Sequence, residues 1–317
     1  MTDWQVKTPV AFIIFRRPDT TERVFEVIRQ AKPPKLLVVA DGPRPDKPGE
    51  AEQCAAARAI IDRVDWDCQV LKNFSDTNLG CKRRVASGLD WVFETVEEAI
   101  IIEDDCLPHP TFFRFCEELL QKYRDDERIM AIAGANRLGK WKSDIQSYHF
   151  SNYGGIWGWA SWRRAWRYYD VDMKLWANPE VKKRVRDVLA DDYQFKLRSK
   201  IFDATYAGKI DTWDYQWKFA MHIQSGLNVI PAVNLVSNIG FGGQATHTFA
   251  SKSKSAENPT YAMEFPLKEP PFVAIDRDYD RGFFKKVLDA PSLPTRIMRK
   301  LNKIQNNILA KIAINKK

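Results

Sequence analysis

Ala99-Ile100-Ile101-Ile102-Glu103-Asp104-Asp105 decides how the rest of the sequence is read. Four apolar residues run without alternation straight into three carboxylates. Such a run suits a strand buried on both faces, as in parallel sheets covered by helices. The pattern recurs upstream. Residues 10–15 (VAFIIF) end at Arg16-Arg17-Pro18, and 36–40 (LLVVA) end at Asp41-Gly42-Pro43. Residues 68–73 give a further strand. Helical spacing lies between them, at 20–30 through Val24, Val27 and Ile28, at 50–64, and at 82–94 after Asn78-Leu79-Gly80. This alternation predicts an α/β fold of the Rossmann-like kind, a mainly parallel sheet with helices on both faces.

In such sheets ligands collect at the carboxyl ends of the strands. The residues just past each strand therefore carry the chemistry: Arg17, Asp41, and Glu103 to Asp105. Three adjacent carboxylates repel one another, the more so as water is excluded, so something cationic should offset them. A hard divalent ion, Mn²⁺ or Mg²⁺, suits oxygen-only ligands and shares its shell with substrate phosphates. A solvated acidic loop, or caps for the helix after 108–110, would use the same residues without a ligand. Lys82, Arg83 and Arg84 open a helix whose N-terminus, with Lys82 and Arg84, would face an anion such as a diphosphate. A solvated basic helix face is the other reading.

Further along, 110–127 reads as a helix and 129–133 as a strand. Residues 153–169 (YGGIWGWASWRRAWRYY) are dense in Gly and Trp, 179–206 look helical, and turn residues return from 225 to 259. No internal repeat is present. The organisation expected is 1–140 as a first half, 141–289 as a second half, and 290–317 as a tail.

Composition excludes several classes. The chain has 317 residues, 44% hydrophobic and 28% charged, which excludes collagen-like and wholly disordered sequences. No stretch of about 18 uncharged apolar residues occurs, so no membrane-spanning helix is expected. The first residues lack the layout of a secretion signal, and a cytoplasmic enzyme is expected. Cys54, Cys68, Cys81, Cys106 and Cys116 are scattered without a C-x-x-C pair, so neither a disulfide nor a zinc site is expected. Of the net charge of +8, seven units follow Asp289, leaving about +1 for 1–289. A nearly neutral body argues against nucleic acid as a partner.

Taken together, V-A-F-I-I-F-R-R, L-L-V-V-A-D-G, N-L-G before a basic helix, and I-I-I-E-D-D resemble the nucleotide-sugar-binding half of GT-A glycosyltransferases. The likeness is to the N-acetylglucosaminyltransferase I group and, more generally, to family 2 type sugar transferases. It covers about 8–140, with a weaker match at Trp213-Asp214 and at 231–247. The resemblance implies a divalent-metal-dependent, inverting transfer of a sugar from a nucleotide diphosphate donor, a UDP-sugar, to a glycan or lipid-linked acceptor in surface polysaccharide synthesis. It implies that Asp41 accepts a hydrogen bond from the base, that Phe15 and Arg17 lie beside base or phosphates, and that Asp104 holds the ribose hydroxyls. Asp105 becomes the metal ligand, with Glu103 supporting the cluster and the late His247 completing the metal or phosphate shell.

An inverting transferase needs a carboxylate near the acceptor hydroxyl to take its proton. Asp214, between aromatics where partial burial would raise basicity, is the candidate base, with Asp211 as the next choice because Tyr215 stands where the family has a second acid. An N-cap for the helix at 215–224 is the structural alternative for Asp214. Trp157 and Trp159 are expected on the acceptor side, as sugar-stacking faces, with Trp162 and Trp166 in the core. His109, His149 and His222 are expected to be structural.

Ile297, Leu301, Ile304, Ile308 and Ile312 draw one apolar face on a helix with Arg299, Lys300, Lys303 and Lys311 mostly off it. That amphipathic tail, 296–317, either lies on an anionic membrane surface, as a peripheral anchor, or docks on the body. Two other functions remain open. A sugar-nucleotide nucleotidyltransferase would carry a Gly-rich, Arg-Lys-bearing loop after the first strand, which Phe15-Arg16-Arg17-Pro18-Asp19 lacks. A non-catalytic carbohydrate-binding protein would explain the tryptophans but not the carboxylates.

Overall fold

The structure, a computed structural model, describes residues 4–240 and 258–288. His247 and the tail at 296–317 lie outside the described residues. The first half alternates as its apolar runs dictate: β1 (Val10–Ile14), α1 (Pro18–Ala31), β2 (Lys35–Ala40), α2 (Glu50–Ala59), β3 (Gln69–Phe74), α3 (Gly80–Thr95) and β4 (Glu98–Glu103). There follow β5 (Cys106–Pro108), α4 (Thr111–Lys122), β6 (Ile129–Ala133), β7 (Tyr148–Ser151), β8 (Trp159–Trp162), α5 (Arg163–Trp166), α6 (Pro179–Leu189), α7 (Asp192–Tyr206) and α8 (Asp214–Ile223). Then come β9 (Leu227–Pro231), β10 (Val236–Asn238) and α9 (Arg277–Phe283).

Local chemistry sets several boundaries. Pro18 opens α1, where its missing N–H costs nothing, and Thr21 Oγ1 donates to the Arg17 carbonyl at 2.7 Å. The helical stretch at 179–206 is two helices rather than one. Ala190 turns left-handed (φ 51°), and the Asp191 side chain then caps α7 by accepting from Gln194 N at 2.9 Å.

Eight strands form one sheet in the order β3-β2-β1-β4-β8-β6-β9-β7. β1, β2, β3 and β4 are parallel, as are β6 and β9, whereas β8 and β7 run antiparallel to their neighbours. The sheet is therefore mainly parallel, and it runs without a break through residue 140. β8 lies between β4 and β6, so a strand from beyond residue 140 is inserted between two from before it. β5 and β10 form a separate two-stranded ribbon that pairs Asn238 with Cys106, carrying the second half to the acidic turn.

Both faces of the sheet are covered. Phe12, Ile14, Val38 and Ile102 pack under α1 and α4 with Phe25, Ile28, Phe112 and Leu119. Ile13, Val39 and Ile101 face α3, α5 and α8 through Val85, Leu89, Trp166 and Trp217, with Trp159 of β8 and Trp213 packed among them. Trp159 was expected on the acceptor side; it is 1% exposed and stacks on Trp213 (5.7 Å between centroids), so it is core. β8 is buried on both faces, so no side chain on it escapes to a cleft. Trp162 and Trp166 are core as expected. The five cysteines are free. Among the described residues no helix is long and apolar enough to cross a membrane.

A third cluster joins α6, α7, α8 and α9 through Val185, Phe202, Phe219 and Tyr279, with Trp176 packed among them. On α9, Asp280 is buried and accepts from Ser151 Oγ at 2.5 Å and Asn152 N at 3.4 Å. Burial outweighs these bonds and raises its pKa to about 6. The folded chain thus keeps a proton that an unfolded carboxyl releases near its ordinary 3.8. Stability contributed by this group is greatest in acid and falls as pH rises through about 6. Asp280→Asn, which copies the protonated form, is expected to add about 1–3 kcal/mol at pH 8 and nothing at pH 4. Urea unfolding of both proteins at the two pH values checks this.

Candidate functional site

Three strand exits meet at one edge. Phe15 and Arg17 follow β1, Asp41 follows β2, and Asp104 and Asp105 follow β4; β1 pairs with both of the other strands, so the exits are neighbours. Phe15, Arg17, Asp41, Arg84, Glu103 and Asp104 line one cleft of about 170 Å³. Asp104 is fixed by the end of β1. Its N–H donates to the Ile13 carbonyl at 2.9 Å, and its Oδ2 accepts from Phe15 N at 3.0 Å.

The charge on the acidic turn is answered first by Arg17. Its Nη1 lies 2.8 Å from Asp105 Oδ2 and 4.0 Å from Asp104 Oδ1. Burial alone would lower the guanidinium's pKa, but Asp104, Asp105 and Glu103 hold it above its ordinary value. Burial, then Asp105 and Asp104, pushes Glu103 well above the carboxylate range, and its Oε1 has no partner among the described residues. Burial also raises Asp104, to about 7, against the pull of Arg17. The remaining oxygen of Asp105, Oδ1, accepts from Asn238 Nδ2 at 3.1 Å, a contact brought by the β5–β10 ribbon. Gly240 follows at once, and a Cβ there would lie 2.4 Å from both Arg17 Nη1 and Asp105 Oδ2. Only glycine allows the backbone to approach the ion pair so closely.

Among the described residues no group of three or more His, Cys, Asp or Glu side chains is placed to cage a metal ion. The acidic turn offers something less and still fitting. Three carboxylates face one guanidinium, and a buried Glu103 oxygen lacks a partner. Mg²⁺ commonly takes one or two carboxylates and completes its shell from phosphates and water.

Asp41 is 7% exposed and does a different job from the one expected. Its Oδ1 accepts from Gly42 N and Leu79 N (both 2.9 Å), and its Oδ2 from Asn78 Nδ2 (3.0 Å) and Gly80 N (3.1 Å). Those four bonds use the acceptor capacity of a carboxylate. Asp41 therefore ties the 78–80 turn to the end of β2. Burial nevertheless keeps its pKa above the ordinary value.

The N-terminus of α3 is likewise taken by carboxylates. Lys82 N donates to Asp211 Oδ1 at 3.2 Å, and Gly80 (φ +78°) brings the backbone beside the same group. Lys82 Nζ lies 3.6 Å from Asp172 Oδ1. Arg84, expected to face a diphosphate, instead binds the Ala40 carbonyl (3.1 Å), the Asn73 carbonyl (2.5 Å) and Asn73 Oδ1 (2.8 Å). It is 5% exposed, and its guanidinium spans the ends of β2 and β3, sharing the Ala40 carbonyl with Ser75 N.

Beyond Asp211 lies a second cavity of about 580 Å³, walled by 152–157, α7, α8 and the end of α9. Asp211 borders both cavities. Trp157 lines the larger one, with the Arg137 guanidinium 3.9 Å above its ring. Asp214 lines it too, but not as a raised base. Burial would raise its pKa; the ion pair with Lys218 and the bond from Thr212 Oγ1 (2.5 Å) lower it instead. Nor is it an N-cap: Trp213 holds that position and Asp214 is the first residue of α8. The Asp214–Lys218 spacing of four was readable as a helical ion pair. Arg198 and Arg137, also in this wall, gave no signal, because nothing in the chain near them marks a cleft.

No family model matches the chain, and no curated protein matches it. Among solved structures, a UDP-glucose pyrophosphorylase complexed with UDP-glucose is similar over 45% of this chain and 62% of its own. The identity is 12% and the TM-score 0.25, a likeness too slight to bear on function.

Proposed function

We propose that the chain transfers a sugar from a nucleotide diphosphate donor, a UDP-sugar, to a hydroxyl of a glycan or lipid-linked acceptor. One observation carries this reading: two cavities of different character abut at a single carboxylate, Asp211. The smaller, at the strand exits, suits the nucleoside, with Asp104 as acceptor for ribose hydroxyls and Arg17 as cation. The larger suits the acceptor, with Trp157 as its aromatic wall. At the seam Asp211 takes the acceptor's proton as the new C–O bond forms and the sugar–phosphate bond breaks, the arrangement an inverting transfer requires. Asp214, paired with Lys218, is the weaker choice for this role because its proton affinity is lowered. Asp104 and Asp105 would hold a bound Mn²⁺ or Mg²⁺, which would offset charge gathering on the departing diphosphate.

A nucleotidyltransferase is disfavoured by the start of α1 at Pro18, four residues past the end of β1, which leaves no room for a Gly-rich phosphate loop. Calorimetric titration separates the readings. UDP binding that strengthens with Mn²⁺ supports sugar transfer. Tight binding of a nucleoside triphosphate in preference to UDP would replace it, and binding of free sugar alone would leave a carbohydrate-binding protein.

A further inference from the structure

The floor of the larger cavity is built of cations and donors. Arg137, Arg198, Lys209 and Lys218 line it, against the two carboxylates Asp211 and Asp214. Both carboxylates are already engaged, Asp211 by the Lys82 N–H and Asp214 by Lys218 and Thr212. Arg198 is 3% exposed, yet neither its Nε nor its Nη1 meets an acceptor among the described residues. The faces of Tyr153 and Phe202, 5.3 and 5.8 Å from its guanidinium carbon, offset only part of its burial. His222 is 1% exposed, neither ring nitrogen has a partner among the described residues, and burial with Arg198 nearby keeps it neutral. A desolvated guanidinium with open donors is costly unless something anionic completes it. Burial lowers the pKa of Arg198 even though Tyr153 and the nearby Asp214 answer part of its charge. A neutral sugar would satisfy donors without adding to that compensation, whereas a carboxylate or phosphate forms charge-assisted bonds about twice as strong as neutral ones.

We propose that this cavity binds an oxyanion carried by the acceptor, a carboxylate or phosphate group seated on Arg198 with Lys218 beside it. The proposal rests on the reading of the larger cavity as the acceptor site, and it narrows the acceptor to an acidic or phosphorylated glycan or glycolipid. The donor's own diphosphate is the competing source of the same chemistry. Asp211 stands between this floor and the nucleotide cleft, so a diphosphate attached to a nucleoside there meets a carboxylate before it reaches Arg198.

The test uses the full chain and three probes, glucuronate, inorganic phosphate and UDP, with glucose as the uncharged control. At least one of the two small anions is expected to bind tenfold or more tightly than glucose. Arg198→Gln should weaken that binding at least tenfold while UDP affinity stays within twofold. Lys218→Gln gives the same readout if the first variant fails to fold. Unchanged anion binding in a folded variant would overturn the proposal. A parallel loss of UDP affinity would assign the floor to the donor's diphosphate and overturn it too. Should UDP fail to bind the unaltered chain, sugar transfer falls, while the response of glucuronate or phosphate to Arg198→Gln still decides this site.

Discussion

Asp211→Asn is expected to slow sugar transfer by about two to four orders of magnitude, the range for losing a general base, with UDP affinity unchanged. The substitution is nearly isosteric, and Asn can still accept the Lys82 N–H through its amide oxygen, so the start of α3 should hold. What it loses is the ability to take a proton at the seam of the two cavities. UDP release from UDP-glucose and UDP-N-acetylglucosamine measures the first effect, and calorimetry the second. Asp214→Asn is the control that discriminates. Asp214 lies inside one cavity only and is held by Lys218, so its loss should raise the concentration of acceptor needed more than it lowers turnover. Near-normal turnover in Asp211→Asn, with a collapse in Asp214→Asn, would return the base to Asp214.

Arg17→Gln should cost about 3–5 kcal/mol of stability at pH 8, because it strips the cation from a buried acidic turn and leaves the carboxylates facing one another. The pair it breaks is well buried, each side chain being 16% exposed at the 2.8 Å contact. UDP binding should fall with it, since Phe15, Arg17 and Asp104 share one cleft. Urea unfolding reads the stability. Repeating it with millimolar Mn²⁺ asks whether a divalent cation answers the same field: recovery of part of the loss supports a metal at Asp104 and Asp105, and no recovery counts against one. A loss below about 1 kcal/mol would show that the turn is solvated and that the ion pair is incidental.

Much of this site was legible in the chain, because strand exits are a consequence of local order. Once 10–15, 36–40 and 99–102 are strands of one parallel sheet, Arg17, Asp41 and Asp104 must emerge at the same edge, and the structure places them there. Residue roles were less legible. Asp41 reads as a free acceptor until the 78–80 turn is seen to fill it. Asp214 reads as a base raised by aromatic neighbours until Lys218, one helical turn on, reverses the shift. Trp159 and Trp157 sit two residues apart, yet one is in the core and the other walls a cleft, because β8 begins between them.

Hydrophobic pattern, turn residues and caps act over a few residues, so the sequence by itself determined the strand–helix alternation, the acidic turn after β4 and the α/β class. Tertiary structure alone decided that β8 enters the sheet between β4 and β6, that Arg84 turns to backbone carbonyls, and that Arg198, from a helix far along the chain, faces the cavity beside Asp211. Those outcomes depend on which distant groups share a low-dielectric space. The electrostatics of that space are set by distances that no stretch of sequence encodes.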